Sequence, residues 1–424
     1  MNQKHPHLIH QKYRPDIDGL RAVAIVSVVI FHALPSMLPG GFIGVDIFFV
    51  ISGFLISTII FSSLEHDRFS LVEFYIRRIS RIFPALILVL ISVLAFGYVL
   101  LSFDEYQQLG KHTAAGAGFI QNFVLWREAG YFDNSAETKP LLHLWSLAIE
   151  EQFYVFWPLL LAFFWKRKWS FLKITAAVAV ISFAANIYLM HRNATAAFYL
   201  PMARFWELMV GGMLAYATLH RPQLISRHKN GQSVIGFALL LTGLLTINTG
   251  RNFPGWWALL PIIGAFFVIS AGSDAWLNKK LLANKLMTWI GLISYPLYLW
   301  HWPLLSFLRI TGNGASQIEI FWAVFSAVLL AWLTYSFLEK PVRSARKKRI
   351  IATVLLATIF VIFLFGIAIA KFNVSPYDTS RNNLPVSYDY KYNYRSGKCF
   401  LEDGRIERFS DSCDGDVAGK PTVV

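Results

Sequence analysis

The sequence predicts an all-α, polytopic transmembrane helical bundle of about eleven spans with a cytoplasmic amino terminus. Three observations predict it. The 424 residues are 55% hydrophobic and only 15% charged, where soluble domains carry about 25% charged residues. Apolar runs of bilayer length, about 20 residues each, recur along most of the chain. The loops between them alternate between basic and nearly uncharged, the pattern that orients membrane proteins. The charge surplus, 39 basic minus 25 acidic residues or +14, therefore reads as cytoplasmic loops and not as nucleic-acid binding. The same composition excludes disorder, collagen-like repeats and a disulfide-rich mini-fold.

In order, the candidate spans lie near 17–38, 43–63, 82–102, 143–165, 170–190, 203–219, 233–249, 256–272, 287–309, 318–339 and 350–371. The first follows a polar stretch and leads straight into the second, so it reads as a span and not as a cleavable signal. Segment 104–142 holds only an amphipathic run, Ala114–Trp126, broken by Gly110, Gly116 and Gly118. It is expected to be re-entrant or interfacial on the outer side. One set of loops carries Arg68, Arg77, Arg78 and Arg81; Lys166–Lys168; Arg221, Arg227 and Lys229; Lys279, Lys280 and Lys285; and Lys340–Arg349. The other set, at 39–42, 191–202, 250–255 and 310–317, has almost no charge. Short basic loops stay in the cytoplasm.

This divides the chain into a cytoplasmic segment 1–16, a transmembrane domain 17–340, a basic cytoplasmic loop 341–349, an eleventh span 350–371 and an extracytoplasmic tail 372–424. The tail is polar and holds the two cysteines, Cys399 and Cys413. That placement suits a disulfide in an oxidising compartment and does not suit a metal site. No metal is expected.

Charges inside a membrane cost roughly 2.5–3.5 kcal/mol on insertion scales, so they are functional candidates. The first span offers Asp18, Arg21 and His32. Arg21 and His32 are eleven positions apart, which is three helical turns, so both lie on one face about 16 Å apart. Asp18 precedes Arg21 by three and can pair with it. His32 then lies about 22 Å from the cytoplasmic end, in the outer half of a core ~30 Å thick. Asp46 enters the second span. His143 and Glu150, seven apart, share a face of the fourth, and His301 lies in the outer half of the ninth. These four helices are expected to converge at one depth. The bland alternatives are a structural hydrogen-bonding role for His301, a cap for Asp46 and a simple ion pair for Glu150. Arg77, Arg78 and Arg81 fall within one turn before an apolar helix. Their guanidinium forks suit phosphate, and the competing account is an orientation anchor. The run Lys340–Arg349 reads as an anchor on anionic lipid headgroups.

The segments Asp16-Ile-Asp-Gly-Leu-Arg-Ala22 with His32, Gly41-Phe-Ile-Gly-Val-Asp-Ile-Phe-Phe-Val-Ile-Ser-Gly-Phe-Leu55 and Arg77-Arg-Ile-Ser-Arg-Ile-Phe-Pro-Ala85 recur in that order. They are followed by His143-Leu-Trp-Ser-Leu-Ala-Ile-Glu-Glu-Gln-Phe-Tyr154 and Ser294-Tyr-Pro-Leu-Tyr-Leu-Trp-His-Trp-Pro303. Together they resemble the acyltransferase-3 family of integral-membrane acyltransferases. The resemblance implies a bacterial plasma-membrane enzyme that moves an acyl group, usually acetyl, from cytoplasmic acyl-CoA to a cell-surface glycan such as O-antigen or peptidoglycan. The eleventh span and tail resemble the subgroup in which an SGNH-type domain follows, and its nucleophile turn is expected beyond the present end, as if the chain were cut short.

On this reading His32 and Glu150 are catalytic, and Arg21, Arg77, Arg78 and Arg81 hold acetyl-CoA. Asp18, Asp46, Ser52, His143 and His301 support the site. His32 serves either as general base or as a transient acyl carrier. Glu150 either positions acceptor hydroxyls or polarises a histidine. The rival from another class is a carrier or flippase for a polar lipid-linked glycan. An arginine clamp in line with a histidine separates the two, because a carrier needs no nucleotide clamp.

Overall fold

Apolar stretches that must satisfy their own backbone hydrogen bonds become helices. The computed structural model describes residues 13–129, 135–225, 228–311, 315–372 and 374, which are helical with no strand among them. The helices are α1 (Pro15–Ala33), α2 (Gly44–Glu65), α3 (Leu71–Leu100), α4 (Phe103–Ala117), α5 (Gln121–Glu128), α6 (Leu144–Lys166), α7 (Phe171–Arg192) and α8 (Ala194–Tyr199). Then come α9 (Pro201–His220), α10 (Pro222–Ile225), α11 (Lys229–Thr246), α12 (Leu259–Ala271), α13 (Lys285–Thr311), α14 (Gln317–Thr334), α15 (Lys340–Ser344) and α16 (Lys348–Lys371). Cys399, Cys413 and nearly all of the tail 372–424 lie outside the described residues.

Among the described residues six segments are long and apolar enough to cross a bilayer: Gly41–Glu65, Leu71–Leu100, Leu144–Lys166, Phe171–Arg192, Gln317–Ser344 and Lys348–Lys371. The chain is a helical, multi-pass membrane protein. The other apolar runs of the sequence fall on α1, α9, α11, α12 and α13. These interrupt their apolar surface with charge or are shorter, as Asp16, Asp18 and Arg21 do in α1.

Two expectations change. The arginines do not precede the apolar helix: α3 starts at a Ser70 cap, runs through Pro84 without ending and carries Arg77, Arg78 and Arg81 on the same rod as the apolar stretch. A proline forfeits one backbone bond, and apolar side chains buried on either side of it, from Phe74 to Leu94, hold the helix together. Of the glycines in segment 104–142, only Gly118 marks a break, as the cap that ends α4. Gly110 and Gly116 lie within α4, and a side chain on Gly110 would strike Ile369 of α16 at 2.6 Å. The glycine is there for close packing. The turn between α4 and α5 is docked on α6, where Gln152 donates to the Phe119 carbonyl at 2.8 Å and to Asn122 Oδ1 at 2.9 Å.

The core gathers α1, α2, α3, α6, α9 and α13. Helix α2 packs on α9 and α1 on α13. At the first contact a Cβ on Gly53 would lie 1.9 Å from the Leu208 carbonyl oxygen, and one on Gly211 2.2 Å from that of Val50. Small residues let membrane helices meet backbone to backbone. That close approach sets the spacing of everything α2 carries, including Asp46 and Ser52.

Candidate active site

Two cavities that share lining residues lie among these helices. The first, about 100 Å³, is lined by Arg21, Ser52, Arg78, Arg81, Glu150 and Glu151, among tyrosines and aliphatic side chains. The second, about 310 Å³, is lined by His32, Asp46, His143, Arg204 and a group of aromatic residues. Val45 and Tyr298 face both.

In the first cavity Arg21 pairs with Asp18 at 3.1 Å, as the three-residue spacing predicted. The guanidinium of Arg78 lies 5.7 Å from the ring centres of both Phe74 and Tyr154. Its Nε is buried without a hydrogen-bond partner. An unmet buried donor is unusual, and an anionic oxygen would satisfy it. Arg77 does not line this cavity, although Arg78 and Arg81 do, because adjacent helix positions point about 100° apart. Glu150 accepts from Tyr154 at 3.2 Å. It therefore stands with the arginines and not at the depth of His32, Asp46 and His301, where the sequence reading placed it.

The second cavity is organised by a histidine pair. His301 is fully buried, and its Nδ1 lies 2.8 Å and 3.1 Å from the carbonyl oxygens of Tyr298 and Leu297. A carbonyl only accepts, so Nδ1 carries the proton. In a neutral His301 the Nε2 lone pair then accepts from His32 Nδ1, 3.0 Å away. The two rings stack at 13°. This leaves Nε2 of His32 as the unprotonated nitrogen, on a ring that lines the second cavity. Trp302 meets His32 edge-on at 4.5 Å, and Arg309 donates to the His32 carbonyl. The His143 ring sits 5.9 Å from that of His301.

Asp46 is no cap. It accepts from Arg204 at 2.9 Å, and Arg204 also lies 3.0 Å from Glu207, all three buried. The guanidinium is enclosed by Phe49, Trp145, Phe198 and Phe253 at 5.6 to 5.8 Å. Arg204 and Glu207 were missed in the sequence, although an Arg and a Glu three apart in an apolar run are the signal that flagged Asp18 and Arg21.

A second ion cluster ties α4 and α5 to the loop before α6. Glu128 accepts from His112 and Lys139 at 3.0 Å each and from Lys111 at 2.6 Å. Burial alone would raise its carboxyl. The hydrogen bond and charge of His112, with the two lysines, outweigh burial and hold Glu128 well below the usual carboxylate range. The Lys139 carbonyl in turn accepts from the Trp302 indole at 2.8 Å, which ties the loop before His143 to the histidine pair. Among the described residues no cluster of His, Cys, Asp and Glu could hold a metal.

A peptidoglycan O-acetyltransferase of Listeria monocytogenes, OatA, is 31% identical over 352 residues, covering 78% of this chain and 56% of the relative. A Staphylococcus aureus protein provisionally named an O-acetyltransferase is 30% identical over 351 residues, covering 78% and 58%. A Bacillus subtilis protein provisionally named a peptidoglycan O-acetyltransferase is 29% identical over 358 residues, covering 79% and 56%. The chain thus spans less than three-fifths of the length of these relatives. No solved structure matches it. A family model described as an acyltransferase domain matches residues 14–339, the stretch that builds both cavities, and the chain belongs to that acyltransferase family.

Proposed function

We propose that this protein is a membrane O-acetyltransferase that takes acetyl from acetyl-CoA at the cytoplasmic face and places it on a hydroxyl of a surface glycan outside. The observation that carries the reading is the succession of an arginine-lined cavity and a histidine-lined cavity that adjoin at Val45 and Tyr298. Arg78 and Arg81 would take the phosphates of the donor through their guanidinium forks. They sit toward the helix ends that carry the basic loops, which supports reading that end as cytoplasmic. The thioester would reach past Val45 and Tyr298 toward His32.

In the transfer, His32 Nε2 takes the proton of the acceptor hydroxyl as its oxygen bonds to the thioester carbonyl carbon. The tetrahedral intermediate collapses by breaking the carbon–sulfur bond. The CoA sulfur leaves with the proton returned by His32, so the ring ends as it began. His301 keeps His32 in the tautomer that the first step needs. Glu150 and Ser52, at the donor cavity, would contact the pantetheine arm. Asp46, held by Arg204, and His143 line the space for the acceptor. Peptidoglycan is the favoured acceptor, because two of the relatives above bear that substrate in their names.

Membranes containing the protein, supplied with radiolabelled acetyl-CoA, should transfer label to peptidoglycan. His32→Ala should reduce transfer by ~10²–10⁴, the usual worth of general-base assistance, at unchanged protein level. Arg78→Ala should raise the KM for acetyl-CoA. Absence of transfer by well-expressed wild-type protein, or normal transfer by His32→Ala, would overturn the reading.

A further inference from the structure

The two cavities share two lining residues, Val45 and Tyr298, and each is held in place by its surroundings. Val45 follows Gly44, and a Cβ on Gly44 would lie 2.3 Å from the Ala24 carbonyl oxygen and 2.8 Å from Val28. Helices α1 and α2 therefore touch one residue before Val45, which leaves Val45 little room to retreat. Tyr298 lines the same two cavities from α13. The Tyr298 hydroxyl donates to the His143 carbonyl at 2.7 Å and pairs with Ser146 at 2.6 Å, both at the start of α6. One wall is set by backbone contact and the other by two hydrogen bonds.

We propose that Val45 and Tyr298 form a filter of fixed width that admits unbranched acyl thioesters and rejects those branched beside the carbonyl. The inference rests on the donor reading above. With the phosphates retained at Arg78 and Arg81, the acyl group enters the junction first. A straight chain keeps the cross-section of a methyl group along its length, whereas an isobutyryl or benzoyl group is wider next to the carbonyl. The junction therefore selects on width. Length is limited separately, by the 310 Å³ of the second cavity.

The experiment uses membranes containing the full chain, with radiolabelled acetyl-CoA, propionyl-CoA and isobutyryl-CoA as donors and purified peptidoglycan as acceptor. Wild type should transfer propionyl and discriminate against isobutyryl. Val45→Ala should raise the isobutyryl-to-acetyl ratio about 10- to 200-fold, the range that one methylene is worth in an apolar site. Val45→Phe should cut transfer of every acyl group while CoA itself still binds, and that binding also shows the variant to be folded. An unchanged ratio in Val45→Ala, or acetyl transfer at the wild-type rate by Val45→Phe, would overturn the filter and leave the donor reading standing. Wild-type membranes that neither bind CoA nor transfer acetyl would overturn the donor reading, and the filter with it.

Discussion

His301 has two ring nitrogens and both are committed, one to backbone carbonyls and one to His32. A residue so placed acts by orienting its neighbour. Misplaced tautomers in catalytic histidines can cost up to ~10⁴ in rate, so His301→Ala should lower kcat by about 10²–10⁴ and leave the KM for acetyl-CoA unchanged. His301→Gln offers a carbonyl oxygen that can accept from His32 Nδ1, and it should recover at least about tenfold of the loss. A purely structural histidine would behave differently: both variants would lose protein together, with normal turnover per surviving molecule. Arg204 illustrates the opposite use of a buried group. It answers Asp46 and Glu207 inside a ring of aromatics, and removing one member of such a buried ionic group typically costs 3–5 kcal/mol. Its partner Asp46 lies 158 positions earlier, too far for any spacing rule to find.

At the scale of elements, α4 and α5 form a hairpin held at one end by Gln152 and at the other by Glu128. The lowered Glu128 carboxyl gives this clamp a pH signature. A carboxylate depressed in the folded state contributes stability that is full above its unfolded value, about 4.3. The contribution fades as pH falls toward the folded value. Hydrogen-exchange protection of α5 should therefore be constant from pH 8 to 5 where His112, Lys111 and Lys139 face an ionised Glu128. Glu128→Gln should lose protection at pH 7, and the difference from wild type should shrink as the medium is made strongly acidic. Equal protection of the two proteins at pH 7 would mean that the clamp does not stabilise the hairpin. Of these elements, the apolar runs were legible because helix length and composition are local properties. The close seats of α2 on α9 and of α16 on α4 were not, since a glycine in a helix reads the same whether it weakens the helix or admits a neighbour.

For the molecule as a whole, His32, Asp46 and His301 lie toward the helix ends joined by the nearly uncharged loops, and His143 joins them at the start of α6, after the segment 104–142. The arginines of α3 lie toward the basic ends. The positive-inside rule then predicts sidedness. Reporter fusions after Leu64, Lys168, Lys280 and Arg349 should read as cytoplasmic and one after Tyr377 as exported. A cytoplasmic signal at Tyr377 would require a different number of crossings, and exported signals at the other four positions would reverse the direction of transfer.

The sequence by itself determined the helical membrane class, the Asp18–Arg21 pair, the candidacy of His32 and the arginines of α3, and the family. Each follows from composition, from spacing within one helix or from motif order. Only the tertiary structure decided which side chains meet across helices. It joined His301 to His32 over 269 positions, set Glu150 beside the arginines, left Arg77 out of the cavity and placed Val45 and Tyr298 on both cavities. The physical reason is that helical periodicity fixes the direction of a side chain relative to its own axis. The rotation and depth of one helix against another are set by close packing of small residues and by buried charge pairs, and those are properties of the assembled bundle.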